Sequence, residues 1–248
     1  MIVHRFTPEM LDVLELRELL PEPDPGAPTT APRIQGAAAV TPDTPAVAIR
    51  PVAADERSRR IAALDWTALA VEAAACTACV LCRQRKQAVL GVGAARATWL
   101  FIGEGPGADE DVQGEPFVGQ AGKLLDAMLA ALGLQRGREV YIANVVKCRP
   151  PGNRTPTPEE AAACAPFLDR QIELVRPKII VALGKSAVNR LTGSEASMAS
   201  LRGRLHDYRG IPVVATYHPA YLLRNLAEKL KAWEDLMLAQ RALVAKTD

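Results

Sequence analysis

The stretch ATWLFIGEGPG (97–107) decides the architecture of this chain. Its first seven residues are apolar at both alternating parities, so a strand here would be covered on both faces, as strands of parallel sheets are. The change to GEGPG then marks a tight turn, where glycines let the backbone approach a ligand closely. Three further runs share this texture: EVYIANVV (139–146), KIIVALG (178–184) and PVVATYH (212–218). Between and after them, GQAGKLLDAMLAALGL (119–134), TPEEAAACAPFLDRQIELV (157–175), KSAVNRL (185–191) and NLAEKLKAWEDLMLAQRAL (225–243) read as helices. This alternation predicts an α/β fold, a central, mainly parallel four-stranded sheet flanked by helices. Folds of this kind bind ligands beyond the carboxyl ends of their strands.

The 248 residues divide by texture near residue 55. The region 1–55 is rich in Pro and Ala and poor in large apolar residues, which predicts a disordered extension before a single domain over 56–248. One island within it, PEMLDVLELRELLPEP (8–23), spaces apolar residues near helical period between prolines. It reads either as a transient helix or as a tethered peptide that docks on a partner protein. Residues 1–50 hold four basic and seven acidic side chains, a charge of −3, which leaves +5 of the net +2 on the remainder. A surplus this small is compatible with a polyanionic ligand without establishing one. No apolar run is long enough for a membrane span, and MIVHRFTPEM lacks the basic and apolar regions of a signal peptide, so a cytoplasmic, monomeric protein with no membrane partner is expected.

The chemistry is expected in the loops that follow the strands: GEGPGADEDVQGEPFVG (103–119), NVVKCRPPGNRTP (144–156) and HPAYLLR (218–224). A phosphate-binding reading of the first is opposed by Asp109, Glu110 and Asp111, which put negative charge where a pyrophosphate would sit, and by the lack of a Gly-Lys-Ser/Thr ending. Phe117 lies in a polar, Gly-bounded loop, where an aromatic face can stack a planar base. Asn144 ends an apolar strand, where a carboxamide needs hydrogen-bond partners and can pair with one edge of a nucleobase. His218 ends another strand and is directed by Pro219. Singly, each has a bland reading as a packed ring, a turn or a structural imidazole; together at three strand ends they predict a site.

Cysteine usage adds a second constellation. AAACTACVLCRQR (73–85) spaces Cys76, Cys79 and Cys82 by three residues, and the total of five is odd, which argues against a closed disulfide framework. Reduced thiols of this kind serve as metal ligands, reactive groups or small buried hydrophobes. Spacing alone cannot separate an iron-sulfur centre from a Cys-only zinc site, because thiolates suit both.

Over roughly residues 70 to 245 the chain closely resembles the iron-sulfur uracil-DNA glycosylases, family 4 of the uracil-DNA glycosylase superfamily. The resemblance is carried by GEGPG followed by GEPFVGQAGKLL, by NVVKCRPPGNRTP and by HPAYLLR, in order and at suitable separations. It implies a DNA repair enzyme that flips uracil out of single- or double-stranded DNA and hydrolyses its N-glycosidic bond, leaving an abasic site. It also implies a [4Fe-4S] cluster held by Cys76, Cys79, Cys148 and Cys164, with Cys82 as the spare thiol. By the same resemblance Phe117 stacks the base, Asn144 reads its edge, His218 aims a donor at a uracil oxygen, and Leu222 or Arg224 fills the vacated space. Basic residues such as Arg149 would meet phosphates. The position of the water-activating Asp of the best-known superfamily members is taken here by Gly105. Glu104 is then the nearest carboxylate and Glu110 a second, which can instead exclude the methyl group of thymine. Some relatives only trap uracil-DNA, through a His in an inserted loop after the first motif; no His lies between His4 and His206, which favours turnover.

Overall fold

Six strands form the sheet, in the order β1-β3-β2-β4-β6-β5. The computed structural model of the protein describes residues 56–245, so the N-terminal extension and its amphipathic island lie outside the described residues. The four predicted strands are β2 (Trp99–Gly103), β3 (Val140–Asn144), β4 (Ile179–Leu183) and β6 (Ile211–Thr216), mutually parallel and in register. β2, β3 and β4 are buried at every position, as their two-sided apolar composition requires.

To the four predicted strands the structure adds two antiparallel edges. β1 (Val92–Gly93) pairs with β3, and β5 (Leu205–Tyr208) with β6. The first is only two residues long and opens no hydrophobic run. The second, LHDY, is mostly exposed and joins β6 through Arg209 and Gly210, both at positive φ, 52° and 82°. That is the geometry of a two-residue hairpin turn, built here without the Asn-Gly or Asp-Gly pair that advertises one.

Helices cover both faces. On one side α1 (Glu56–Ala62), α2 (Trp66–Ala75), α5 (Pro158–Val175) and α6 (Lys185–Thr192) enclose Leu100, Ile102, Ala143, Ile180 and Ala182. On the other, α4 (Gln120–Ala131) and the C-terminal α9 (Lys229–Val244) cover Trp99, Phe101, Ile142, Val181 and Val214. Alternate residues of each strand thus serve alternate cores, the period of two expressed on both faces. Among the described residues no helix is long and apolar enough to cross a membrane.

A short helix, α3 (Ala108–Gln113), stands inside the loop predicted after β2. It explains the acid block. Asp109, Glu110 and Asp111 fill its first turn, where negative charge is favoured by the helix dipole. The buried Asp111 accepts the Lys86 N–H at 2.9 Å, and Glu110 closes the helix onto Gly107 at 3.0 Å. The remaining short helices, α7 (Met198–Leu201) and α8 (Pro219–Leu222), sit before β5 and after β6.

The loop after β3 is fixed by the start of α5. Thr157 and Glu160 form a reciprocal capping box, with Pro158 in the first turn. The Glu160 carboxylate also takes two N–H bonds from Arg154, at 2.8 and 2.7 Å. Glu160→Ala should therefore destabilise the fold by about 1–3 kcal/mol, since its buried carboxylate satisfies several donors at once; urea denaturation measures the loss, and an unchanged midpoint would refute this role.

Candidate active site

The strand order puts β2 between β3 and β4, so the chain leaves β2 to one side and later returns to the other. That switch opens a crevice at the carboxyl ends. Gly103 is the last residue of β2 and faces Asn144, the last of β3. Pairing continues beyond the strands: the Val145 N–H donates to the Gly103 carbonyl at 2.9 Å and the Val146 N–H to the Glu104 carbonyl at 3.1 Å. The two loops therefore diverge from a fixed point.

A cavity of about 580 Å³ lies there, within the range of small-ligand sites. Glu104, Gly105, Glu110 and Phe117 line it from the loop after β2, Asn144 from β3, and His218 and Arg224 from the segment after β6. Three segments far apart in the chain thus bring seven of the sequence-predicted residues to one space. Two others are elsewhere. Arg149 does not line the cavity and instead donates to Asn153 at 2.7 Å.

Leu222 is 1% exposed, seated against Leu124 and Met128 of α4 and Trp233 of α9. The reason is the turn begun by His218 and Pro219, which directs Leu222 inward one turn later. Its neighbours Tyr221 and Leu223 are the outward apolar side chains, 38% and 40% exposed.

Asn144 is almost fully buried, yet its Oδ1 has no hydrogen-bond partner among the described residues. A buried acceptor left unpaired is costly, and this one borders the cavity, so a ligand donor would complete it. Gly103 makes the arrangement possible. A Cβ there would lie 2.5 Å from Asn144 Oδ1 and 2.6 Å from Phe117 Cζ.

Phe117 occupies the left-handed region, φ 56°, and its ring faces that of His218 with 5.4 Å between centroids. Glu110 does not project a free carboxylate. It accepts the N–H groups of Gly107, Val118 and Gly119, and so shapes the loop that carries Phe117. Glu104 is different: one carboxylate oxygen accepts a hydrogen bond from the Ser186 hydroxyl of α6.

The sequence reading passed over the loop after β4. Lys185 lines the cavity and Ser186 holds Glu104. A signal lies in Gly184, the glycine that follows β4. It adopts φ 86°, and a Cβ there would approach His218 Cβ to 3.0 Å.

His218 caps α8 through Nδ1, which accepts the Ala220 N–H at 3.2 Å. Accepting at Nδ1 leaves the proton on Nε2, as a donor. Desolvation at the cavity wall, reinforced by Arg224 and opposed by Glu110, pushes the imidazole pKa down to about 4. The ring is therefore neutral at physiological pH. Between pH 6.5 and about 4 the unfolded chain binds a proton here that the native state refuses, so stability falls as pH falls through that window. An NMR titration should find the His218 ring titrating near pH 4; titration near pH 6.5 would show the ring to be solvated.

A second cavity, behind the first loop, is lined by Cys76, Cys79, Cys82, Cys148 and Cys164 together with Arg85. The three-residue steps of the first three continue into a 3-10 turn, Val80–Arg83, in which positions three apart eclipse. Cys164 comes from the inner face of α5, two turns beyond its cap. Burial pushes the Cys164 thiol up to about 11, against the opposing effect of Lys147. N–H groups reach the sulfurs: Arg85 donates to Cys148 at 2.9 Å, Arg57 to Cys76 at 3.4 Å and the Lys147 backbone to Cys164 at 3.3 Å. Lys147 also donates Nζ to the Asn144 carbonyl at 2.7 Å, so the two cavities share a wall.

Comparison with known proteins gives this geometry a family. The profile of the Uracil DNA glycosylase superfamily matches residues 90–237. A type-4 uracil-DNA glycosylase of Thermotoga maritima is 50% identical over 158 residues, 63% of this chain and 82% of the relative. That of Archaeoglobus fulgidus is 45% identical over 61% of this chain and 80% of its own. A type-5 uracil-DNA glycosylase of Thermus thermophilus is more distant, 34% identical over 52% of this chain and 68% of its own length. Matches of that identity and coverage, spanning every strand that contributes to the cavity, mean that the chain belongs to the uracil-DNA glycosylase superfamily, within its type-4 branch.

Proposed function

We propose that this chain releases uracil from DNA by hydrolysing its N-glycosidic bond, as a monofunctional glycosylase in base excision repair. The observation that carries the proposal is the unpartnered Asn144 Oδ1, buried beside Phe117 in a cavity that a neutral His218 also lines. Uracil presents an N–H donor between two carbonyl acceptors, and a carboxamide offers the complementary acceptor and donors. A base must leave the duplex stack to enter such a cavity. Phe117 then supplies the stacking face, and the carboxamide reads the edge.

The bond from the sugar to the base nitrogen breaks with its electron pair moving onto uracil. Water adds to the sugar carbon and loses a proton, which ends on the departing uracil anion, leaving an abasic site and neutral free uracil. Negative charge develops on the uracil oxygens, and the Nε2–H of His218 is the donor suited to one of them. A neutral donor in a desolvated site needs no proton uptake beforehand. Glu104, oriented by Ser186, is assigned the water; Glu110 is assigned the shaping of the Phe117 loop. Lys185 and Arg224, at the cavity, suit DNA phosphates, and the exposed Leu223 or Tyr221 suits the wedge role. Residues 56–248 form the catalytic domain in this reading.

The sulfur-lined cavity fits a [4Fe-4S] cluster with Cys76, Cys79, Cys148 and Cys164 as its ligands. The donor set supports this: five thiols line one space, and thiolates are the ligands that iron-sulfur centres take. The group would tie the segment before β1 to the loop after Asn144 and to α5, a structural service that the hydrolysis itself does not use.

Purified protein should release free uracil from a uracil-containing oligonucleotide, and His218→Ala should slow release by about 10²–10³-fold. Intact substrate with the wild type would end the proposal. Protein prepared without oxygen should contain about four iron atoms per chain. Cys76→Ala and Cys79→Ala should lose that iron while Cys82→Ala retains it; a zinc-bearing, colourless protein would overturn the cluster.

A further inference from the structure

Phe117 is held in a backbone conformation that a bulky residue disfavours. Its φ of 56° brings the side chain close to its own carbonyl, and residues persist there only when their surroundings over-determine them. The surroundings are specific. A Cβ on Gly122 would lie 1.8 Å from the Phe117 carbonyl oxygen, so that carbonyl is seated directly on the first turn of α4. Two charged side chains grip the turn from opposite sides. On the N–H side, Glu110 accepts from Val118 at 2.9 Å and from Gly119 at 3.1 Å. On the carbonyl side, Arg136 donates Nη1 to the Pro116 oxygen at 2.8 Å and Nη2 to the Phe117 oxygen.

Arg136 comes from the connection between α4 and β3 and does not line the cavity. Its guanidinium is oriented by a third bond, from Nε to Asp126 on α4. Lys cannot replace this arrangement, because the planar fork satisfies two consecutive carbonyls and a carboxylate at once. We infer that Arg136 is a positioning residue for the base-stacking platform, acting through Phe117 alone. Its consequence for catalysis rests on the uracil-releasing reading above. The position of Phe117 also bears on Asn144, since both crowd the space that Gly103 leaves empty.

The test compares wild type, Arg136→Met, Phe117→Ala and the double variant in single-turnover uracil release and in inhibition by free uracil. Arg136→Met should slow release by about 10²-fold and weaken inhibition, because the stacking face is misplaced while the reacting groups remain. In the Phe117→Ala background the same substitution should change release by no more than about twofold, the mark of two residues acting as one unit. Amide hydrogen exchange at Val118 and Gly119, measured without substrate, should quicken in Arg136→Met. Asp126→Asn, on the exposed side of α4, should give a smaller loss of the same kind and carries the test should Arg136→Met fail to fold. Equal losses in both backgrounds, or unchanged exchange, would overturn the assignment. A wild type that releases no uracil would instead refute the glycosylase reading, and the exchange measurement would still judge the clamp.

Discussion

The site depends on an empty volume: the missing side chain of Gly103. Because β2 ends in a residue without a Cβ, Asn144 from the neighbouring strand and Phe117 from the following loop can both reach the same point. A single methyl there would stand within 2.6 Å of each. The parallel register does the rest, since it ends β2 and β3 at the same height. Gly184 repeats the device at the end of β4, where close approach admits His218. Two strands thus contribute space and two contribute side chains.

The charged groups around the cavity mostly serve its shape. Glu110, Asp111, Glu160 and Arg136 bind backbone groups or cap helices. Fixing loops through backbone N–H and C=O groups occupies these side chains away from the Asn144 carboxamide oxygen, which stays unpaired among the described residues. A preorganised donor is worth most in such surroundings, where solvent is excluded and no dipole must reorient. Lys147 extends the same logic to the sulfur cavity, linking the Asn144 carbonyl through its ammonium and Cys164 through its backbone. Two bonds through one residue thus join Cys164 to the end of β3.

Much of this is legible in the sequence. The four buried strands and their helices follow from local apolar patterning, and the cavity residues from their places at strand ends. The edge strands were not, because β1 is two residues long and β5 is exposed, and neither has a hydrophobic period to read. The acid block after GEGPG was seen only as charge. As a helical first turn it has a structural purpose that composition cannot express.

By itself the sequence determined the strand and helix alternation, the glycine positions and the supply of Asn, His, Phe and Cys, because these are consequences of local period and residue chemistry. Tertiary structure alone decided which way each side chain faces and what it touches. Leu222 turned inward because α4 and α9 offered it an apolar seat, while Leu223 was left outside. Glu110 became a loop clamp and Glu104 a partner of Ser186, although the two carboxylates are alike in sequence. Arg136, unremarkable in LQRGREV, gained its position only because the connection before β3 folds back over the Phe117 turn. Contacts between residues far apart in the chain arise from the packing of whole elements, and no local pattern encodes them.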